Sequence, residues 1–548
     1  MGNRGNRGPA VALLLILAAG ALLRIQHLRA DPPLIIPAMS GSAGIYFDEG
    51  IYSHNARNRI LFQRWITDEW NPLIYNSLLT GLYYLGFRLF GISIVTVKAV
   101  SILLGLLAVF FFHSAIRRYL AERPGLLVTA LFAFNFYWIM YNRIGLLENF
   151  SALCFVLAFF FFVRALDREW LAAWSGCFVA LAVLSKYLFA YFLLSSLAAA
   201  AFHAWQRRRI RFFTFFGGGV LGVAGLWFFA IYLPFHASFS KIGQGWGALS
   251  LPGNLGQAFE NLVCNPVARY AQLMPIEFFL GLLFIVLVAF KVIRGKEHRP
   301  DAVEIFIFFW LLGAFAEMGI LNYRPLRYYL PAVPALFFAV SLVFREKKKV
   351  LLPPLFLFPG LAALSLIFFR FFQYLGTPTA AFFVFPPFLR ALVFFAFVAV
   401  LAYSIIGNDR FRLSVQTAIC LLILAPSLFL YVDQFYRRPT YHLQAAADYM
   451  KRLPVDALVM GQEAPRLTLE TPAKALLAYE GWFNDRDPFR QYHPTHLVVL
   501  DRFHDAELSW IRRRFGPIAE ALVPIKKFRI WDSTMTLYRV RYPSTEAR

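Results

Sequence analysis

Residues 42–72 read SAGIYFDEGIYSHNARNRILFQRWITDEWNP, a polar stretch that follows the first long apolar run of the chain. It carries two acidic pairs, Asp48 with Glu49 and Asp68 with Glu69. The flanking segments are too apolar to need these carboxylates for solubility. Acidic side chains held at the surface of a bilayer therefore indicate a reaction site.

The composition of the 548 residues is that of an integral membrane protein. Hydrophobic residues make up 59% and aromatic residues 18% of the chain, with 61 Phe, and the mean hydropathy is +0.57. Apolar runs of about 18 or more residues recur, which is the pattern of membrane-spanning helices.

The net charge of +23 would suggest nucleic acid as a partner if the protein were soluble. Here the basic residues lie mainly in short clusters between apolar runs, as the positive-inside rule predicts for cytoplasmic loops. The clusters are Arg117, Arg118 and Arg123; Arg207 to Arg209 with Arg211; Lys291, Arg294, Lys296 and Arg299; Arg345 with Lys347 to Lys349; and Arg410 with Arg412. Membrane topology explains most of the basic excess, so no nucleic-acid partner is expected.

The cysteines and the N-terminal residues allow two further inferences, one about disulfides and metal sites and one about a signal peptide. Three of the four cysteines fall in apolar runs and Cys264 stands alone, which excludes a disulfide framework and a CxxC metal pair. Residues 9–23 have the length and flanks of a cleaved signal peptide. A retained membrane anchor is the alternative that we favour for a long polytopic chain.

Fourteen apolar segments can be drawn. They are residues 9–25, 73–90, 94–116, 124–141, 149–166, 170–184, 187–205, 212–234, 274–292, 303–320, 328–344, 350–372, 384–406 and 413–432. If 73–90 spanned the membrane, the later basic clusters would lie opposite the basic N-terminus. We therefore expect that segment at the outer interface, about 13 transmembrane helices, and the loop 26–93 outside the cytoplasm.

From about residue 440 the composition becomes that of a soluble domain. Helices are predicted at 441–453 and 507–515, and strands at 456–461, 495–501, 527–533 and 535–542. The predicted fold class is a polytopic α-helical membrane protein with a C-terminal soluble α/β domain. Residues 1–439 would form the catalytic membrane domain and residues 440–548 the second domain, on the outer side.

Asp48 and Glu49 are the first candidates for catalysis. An alcohol is a weak nucleophile at neutral pH, and a positioned carboxylate can take its proton as it attacks. The plainer alternative is that both are solvated loop charges. Three neighbours in the same loop, Tyr52, His54 and Glu69, are candidates for contacting an acceptor. His54 is favoured as an ordinary polar residue over a metal ligand, because no HExxH or HxH pattern occurs.

Arg143 and Glu148 lie in YNRIGLLENF, at the outer end of a predicted span. The arginine could hold a lipid phosphate through a bidentate contact. The carboxylate could act in catalysis or orient an acceptor. A helix-end arginine with a local ion pair is the alternative.

Lys186, Arg324 and Arg327 are three more cations on the side that is poor in basic residues. A lone lysine between two apolar runs is costly unless it meets an anion or water. All three are candidates for binding a singly linked lipid phosphate. Interface anchoring is the alternative for the two arginines, which lie beside tyrosines.

Five motifs together resemble the GT-C glycosyltransferases of the dolichyl-phosphate-mannose protein mannosyltransferase type, a group that includes the bacterial lipid A aminoarabinose transferases. The motifs are FDEGIYSHNAR (47–57), NPLIYNSLLTGLYYLGFRLFG (71–91), RIGLLENF (143–150), ALAVLSK (180–186) and RYYLPAVP (327–334). They occur in the order found in that family, over the first 340 residues.

The resemblance implies an inverting membrane transferase that takes a sugar from a polyprenyl phosphate, such as undecaprenyl phosphate, on the periplasmic face of the bacterial inner membrane. Asp48 matches the catalytic carboxylate of the first loop, and Glu148 matches a position where relatives usually carry Asp. Lys186 and Arg327 match basic positions suited to the carrier phosphate. One departure is Asn71-Pro72-Leu73, where the family has Pro-Pro-Leu after an acidic residue or histidine.

Several alternatives stay open at this stage. No cofactor is required by such a reaction, although a divalent cation between Asp48 and Glu148 would be compatible with it. The acceptor could be a protein, lipid A, O-antigen or another glycan. A transporter or flippase of a lipid-linked sugar is the competing function, and it would predict internal repeats, which we do not find.

Overall fold

The computed structural model describes residues 8–33, 47–240, 251–264, 274–294, 299–323, 325–344, 412–500, 504–531 and 533–542. The membrane part is a bundle of apolar helices, and the last hundred residues contain a mixed sheet. The predicted fold class is therefore confirmed.

Within these ranges, eight helices are long and apolar enough to cross a membrane. They are Gly8–Ile25, Ile94–Ile116, Leu147–Ala165, Tyr187–Arg207, Ile210–Ser240, Ile276–Arg294, Ala302–Ile320 and Ile419–Arg437. A ninth span is formed if Glu122–Ala133 and Phe136–Asn142, which are bent by 56°, count as one. Two shorter apolar helices are Glu169–Ser185 and Leu326–Val340.

The expected number of about 13 spans stays a prediction. Two of the predicted segments, 350–372 and 384–406, lie outside the described residues. Helix Pro72–Phe90 is not among the candidate spans. The interfacial placement of this segment also stays a prediction.

The first polar connection folds into a helix, Asp48–Phe62, which we call the loop helix. Two acidic residues occupy its first turn, where the positive end of the helix dipole favours them, and it ends at Gln63 in the left-handed conformation. Ten of its fifteen residues are buried, most of them polar. Such a helix is stable only if its side chains find partners in the surrounding protein.

The C-terminal domain has a five-stranded sheet in the order β2-β1-β3-β5-β4. Its strands are β1 Leu458–Met460, β2 Lys474–Leu476, β3 His496–Leu500, β4 Leu522–Ile530 and β5 Ser533–Val540. The first three are parallel, and β4 and β5 form an antiparallel pair against β3. The helices are His442–Met450, Ala464–Leu467, Pro488–Tyr492, His504–Arg514 and Gly516–Glu520. The short strand β2 and the helix that precedes it were not predicted from the sequence.

An apolar contact joins this domain to the first connection of the membrane part. Ile51 of the loop helix packs with Trp70, Leu477 and Phe483 in one buried cluster, and the rings of Trp70 and Phe483 meet edge to face at 5.0 Å. The C-terminal domain is thus packed against the stretch that carries the acidic pairs.

Candidate active site

Four charged side chains from four separate elements meet at one end of the helix bundle. They are Asp48 at the start of the loop helix, Glu148 at the start of Leu147–Ala165, Lys186 at the break between two helices, and Arg327 in the 3₁₀ helix Leu326–Ala332. We call them the charged quartet. The sequence placed all four in connections on the same side, and the fold brings those connections together.

Arg327 is the centre of the charged quartet. Its Nη2 lies 3.1 Å from Asp48 Oδ2, and its Nε donates to Glu148 Oε1 at 3.0 Å. Lys186 Nζ donates to the same Glu148 oxygen at 2.5 Å. Its ammonium also lies over the ring of Tyr328, 3.7 Å from the centroid, a favourable cation–π position.

The charged quartet is almost completely removed from solvent. Asp48 and Arg327 are each 4% exposed and Glu148 is fully buried. Two carboxylates and two cations compensate each other in net charge, which buried ionised groups require. Lys186 is the most accessible, with 10% of its side chain exposed.

Some polar atoms of the charged quartet take no part in its internal hydrogen bonds. Among the described residues, Arg327 Nη1 and Glu148 Oε2 have no hydrogen-bond partner, although both atoms are buried. A ligand that supplied partners for these two atoms would therefore bind favourably here. A free guanidinium nitrogen is suited to a phosphate oxygen.

The pKa of Asp48 is raised to about 6, chiefly because burial disfavours its ionised form. The positive charge of Arg327 acts in the opposite direction, and the negative charge of Glu148 adds to the rise. A carboxylate with a pKa near 6 is ionised at neutral pH and is a stronger base than an ordinary aspartate.

Glu49 turns away from the charged quartet and pairs with Arg466 of the C-terminal domain, Nε to Oε1 at 2.7 Å. Arg143 is not in the charged quartet either. It donates to the backbone carbonyls of Arg24 and His27, both at 2.9 Å, and its guanidinium lies 4.0 Å from the centroid of the Phe435 ring. Arg324 lies outside the described residues.

The three other predicted loop residues have different surroundings. Tyr52 is one helical turn after Asp48, and burial together with the negative charge of Asp48 raises its pKa well above the usual value. The Nε2 of His54 accepts from Asn58 at 2.9 Å. Glu69 accepts from the backbone N–H of Asn484 in the C-terminal domain at 2.7 Å. Tyr52 alone of these lies beside the charged quartet.

The charged quartet is a poor donor set for a divalent cation. Asp48 and Glu148 are both already paired with Arg327, and a metal ion would have to displace that cation or be repelled by it. Across the described ranges, no group of three His, Cys, Asp or Glu residues is arranged to hold a metal.

The sequence analysis missed two residues of this region. Tyr328 supplies the ring under Lys186, and Arg466 is the partner of Glu49. The motif RYYLPAVP contains Tyr328 and could have suggested it. Arg466 lies 417 residues from Glu49, and no spacing pattern links them.

Comparisons with known proteins show which family and which solved structures the chain resembles. Residues 80–232 match the sequence model of the dolichyl-phosphate-mannose-protein mannosyltransferase family. No curated protein sequence matched the chain. Among solved structures, ArnT from Cupriavidus metallidurans bound to undecaprenyl phosphate matches with a TM-score of 0.57 and 14% identity, over 97% of this chain and 98% of ArnT.

The chain has the fold of ArnT. The apo structure of the same ArnT matches with a TM-score of 0.56 and 14% identity, over 96% of this chain and 98% of that one. The archaeal oligosaccharyltransferase AglB from Archaeoglobus fulgidus, in complex with an inhibitory peptide and a dolichol-phosphate, has a TM-score of 0.50 and 13% identity. That match covers 98% of this chain and 75% of AglB. The resemblance suggested by the five sequence motifs is thus confirmed at the level of the GT-C fold.

Proposed function

We propose that this protein is a membrane glycosyltransferase that moves a sugar from a polyprenyl phosphate to an acceptor hydroxyl, with inversion at the anomeric carbon. The observation that carries the proposal is the charged quartet, in which a carboxylate with a raised pKa lies against an arginine that has an unpaired nitrogen. The ArnT of the fold comparison is bound to undecaprenyl phosphate, which supports a lipid donor of this kind.

In this proposal Asp48 is the general base. The acceptor oxygen attacks the anomeric carbon, its proton passes to Asp48, and the bond from that carbon to the phosphate oxygen breaks. The electron pair of the broken bond stays on the polyprenyl phosphate, which leaves. A single displacement of this type inverts the anomeric configuration.

Arg327 and Lys186 would stabilise the charge that develops on the leaving phosphate. Lys186 is the more accessible of the two, and Arg327 has a free Nη1. Preorganised donors aimed at developing charge contribute about 3–4 kcal/mol each in well-studied enzymes. Glu148 would hold both cations in place, since one of its oxygens accepts from each.

The location of the reaction follows from the charge bias of the sequence. The charged quartet lies in connections opposite the basic clusters, and the positive-inside rule puts those clusters in the cytoplasm. The proposed site is therefore on the periplasmic face of a bacterial inner membrane. The chain is a multi-span membrane protein, as its helices require.

The test uses the purified full chain in detergent with a panel of radiolabelled undecaprenyl-phosphate sugars and candidate acceptors. Release of free undecaprenyl phosphate and formation of labelled product are both measured. We expect Asp48→Asn to lose about 10²–10⁴-fold in turnover, the usual contribution of a general base. Asp167→Asn is the matched control, because Asp167 pairs with Arg118 at the other end of helix Leu147–Ala165.

Full turnover of a folded Asp48→Asn variant would contradict the role of Asp48. Binding of the lipid-linked sugars without turnover, across all donors and acceptors, would favour a transporter or a binding protein instead.

A further inference from the structure

The acidic pair at the start of the loop helix is divided between two partners. Consecutive residues of an α-helix point about 100° apart, so Asp48 faces Arg327 while Glu49 faces the C-terminal domain. Glu49 is fully buried and Arg466 is 3% exposed. A buried ion pair of this kind is strongly destabilising to break from one side, because the remaining charge stays buried without a partner.

Glu49 also contacts the connection that carries Glu148. Its second carboxylate oxygen accepts from the backbone N–H of Gly145 at 3.5 Å, three residues before Glu148. One side chain therefore links the helix of Asp48, the turn before Glu148 and the C-terminal domain. These contacts connect the two elements whose carboxylates share Arg327.

The backbone of the C-terminal domain lies directly on the first turn of the loop helix. A Cβ atom added to Gly50 would lie 2.3 Å from the Cα and from the backbone nitrogen of Arg466. Real Cβ atoms do not approach backbone atoms this closely, so glycine is the only residue type that fits at position 50. The close approach brings Arg466 within reach of Glu49.

A second set of hydrogen bonds joins the loop helix to the C-terminal domain at Arg57. Arg57 is fully buried and donates to three backbone carbonyls of the C-terminal domain, those of Leu469 at 3.0 Å, Thr471 at 2.6 Å and Ala473 at 2.5 Å. The contacts that Gly50, Glu49 and Arg57 make with the C-terminal domain all go to residues 466–473, which we call the clamp segment. The clamp segment therefore contacts the loop helix at its first turn and again at Arg57.

We infer that Glu49 and Arg466 are positioning residues, through which the C-terminal domain sets the place of Asp48 relative to Arg327 and Glu148. This inference rests on the proposed function. A catalytic group that is displaced by about 1 Å can lose about 100-fold in rate, so a helix that carries the base needs such support. The C-terminal domain is then part of the active-site scaffold and not only an acceptor-binding attachment.

The experiment compares Glu49→Gln, Arg466→Met and the double variant in the full chain, with donor kcat and KM measured separately. We expect each single variant to lose tenfold or more in kcat with the donor KM changed by less than threefold. The double variant should regain part of the loss, because it leaves no buried charge without a partner. Arg466→Lys should retain more activity than Arg466→Met, since it keeps the charge.

Glu470→Gln is the matched control for a contact between the same two parts of the chain. Glu470 accepts from the backbone N–H of Ile94 at 3.0 Å and so ties the clamp segment to a transmembrane helix, away from the loop helix. It should lower thermal stability without lowering kcat. Equal losses of kcat in Glu470→Gln and Glu49→Gln would show that the ion pair has no specific effect on kcat and would overturn the inference.

The dependence of kcat/KM on pH distinguishes the positioning role from a purely structural role, which would leave that dependence unchanged. The negative charge of Glu49 contributes to the raised pKa of Asp48, so Glu49→Gln should shift the acidic limb of kcat/KM to lower pH. An unshifted limb together with an unchanged kcat would contradict the inference. If a single variant fails to fold, the double variant decides, because wild-type kcat and an unshifted limb in the double variant would overturn the inference.

Failure of the proposed function is a separate outcome. Full turnover of Asp48→Asn would refute the role of the base whatever the variants of the ion pair do. Loss of turnover in Asp48→Asn, with wild-type kcat in Glu49→Gln and Arg466→Met, would leave the base in place and refute only the positioning role.

Discussion

Arg327 Nη2 and Asp48 Oδ2 lie 3.1 Å apart, both buried, on elements separated by most of the membrane part of the chain. The same guanidinium donates to Glu148, so the two carboxylates share one cation. This arrangement keeps Asp48 ionised at neutral pH in spite of its burial, and it leaves Arg327 Nη1 available for a further acceptor.

The activity of the proposed transferase should depend on pH through Asp48. Its pKa is raised from 3.8 to about 6, and only the ionised form can accept a proton. We expect kcat/KM to reach half of its plateau near pH 6 and to level off at higher pH, as Asp48 becomes fully ionised. Initial rates between pH 4.5 and 8 check this, with thermal stability followed in parallel. An acidic limb of the kcat/KM profile that stayed near pH 4 would contradict the raised pKa of Asp48.

Lys186→Met should weaken binding of the lipid donor. A hydrogen bond to a charged group contributes about 1.5–3 kcal/mol, so the donor KM should rise roughly tenfold or more, with a smaller effect on folding because Arg327 still pairs with Glu148. Kinetics with an undecaprenyl-phosphate sugar give KM and kcat separately.

Lys291→Met is the control for that variant. Lys291 also donates to a buried glutamate, Glu304, at 2.8 Å, but it lies in one of the basic clusters. Its substitution should lower stability and leave the donor KM unchanged. An equal rise of KM in both variants would refute a specific contact between Lys186 and the phosphate.

Gly50→Ala should disrupt the contact between the loop helix and the clamp segment. The new methyl group would meet backbone atoms of Arg466 at 2.3 Å, and such overpacking typically costs about 1–3 kcal/mol. We expect a lower melting temperature and a lower kcat. Both are measured on the full chain in detergent.

The matched substitution is Gly81→Ala, in helix Pro72–Phe90, where the described residues outside the helix's own backbone place no atom within 4 Å of the added carbon. Alanine is the better helix former by about 1 kcal/mol, so this variant should be as stable as wild type or more stable. Similar losses in the two variants would mean that the close approach at Gly50 is not what limits stability.

Glu463 should make the stability of the protein depend on pH. Both of its carboxylate oxygens are buried without a hydrogen bond in the part of the chain that the structure describes, and burial raises its pKa from 4.5 to about 7. The folded state therefore binds a proton that the unfolded state loses above about pH 4.5. The contribution of the protonated group to stability falls as pH rises from about 4.5 to 7.

Glu463→Gln should remove that dependence, so its melting temperature should exceed that of wild type by a margin that grows between pH 5 and pH 8. Glu520→Gln, at an exposed position, should follow wild type at every pH. A constant difference between Glu463→Gln and wild type across this range would contradict the raised pKa.

Hydrophobic length and charge bias were sufficient to predict most of the membrane helices. The segment predicted at 94–116 is the helix Ile94–Ile116, because a run of apolar residues has one stable form in lipid. Helix ends were less accurate where a break occurs. The segment predicted at 124–141 is bent by 56° between Glu122–Ala133 and Phe136–Asn142, where Asn135 caps the second helix.

The site was predictable only where a motif carries the residue. Asp48, Glu148, Lys186 and Arg327 were named from the sequence, and the fold brings them together. Arg143 was named for the same reason, yet it binds backbone carbonyls at the end of the first helix. Which way a helix-end arginine points depends on the packing of its neighbours, and the sequence does not reveal that packing.

The hydrogen bonds of the loop helix set an order for the biosynthesis of this protein. Arg57 finds its acceptors 412 to 416 residues further along the chain, so its guanidinium has none of them while the membrane helices are being inserted. At roughly 5–20 residues per second, the interval is about 20–80 s. During that time the loop helix lacks these hydrogen bonds, and they form only after residues 469–473 have been synthesised.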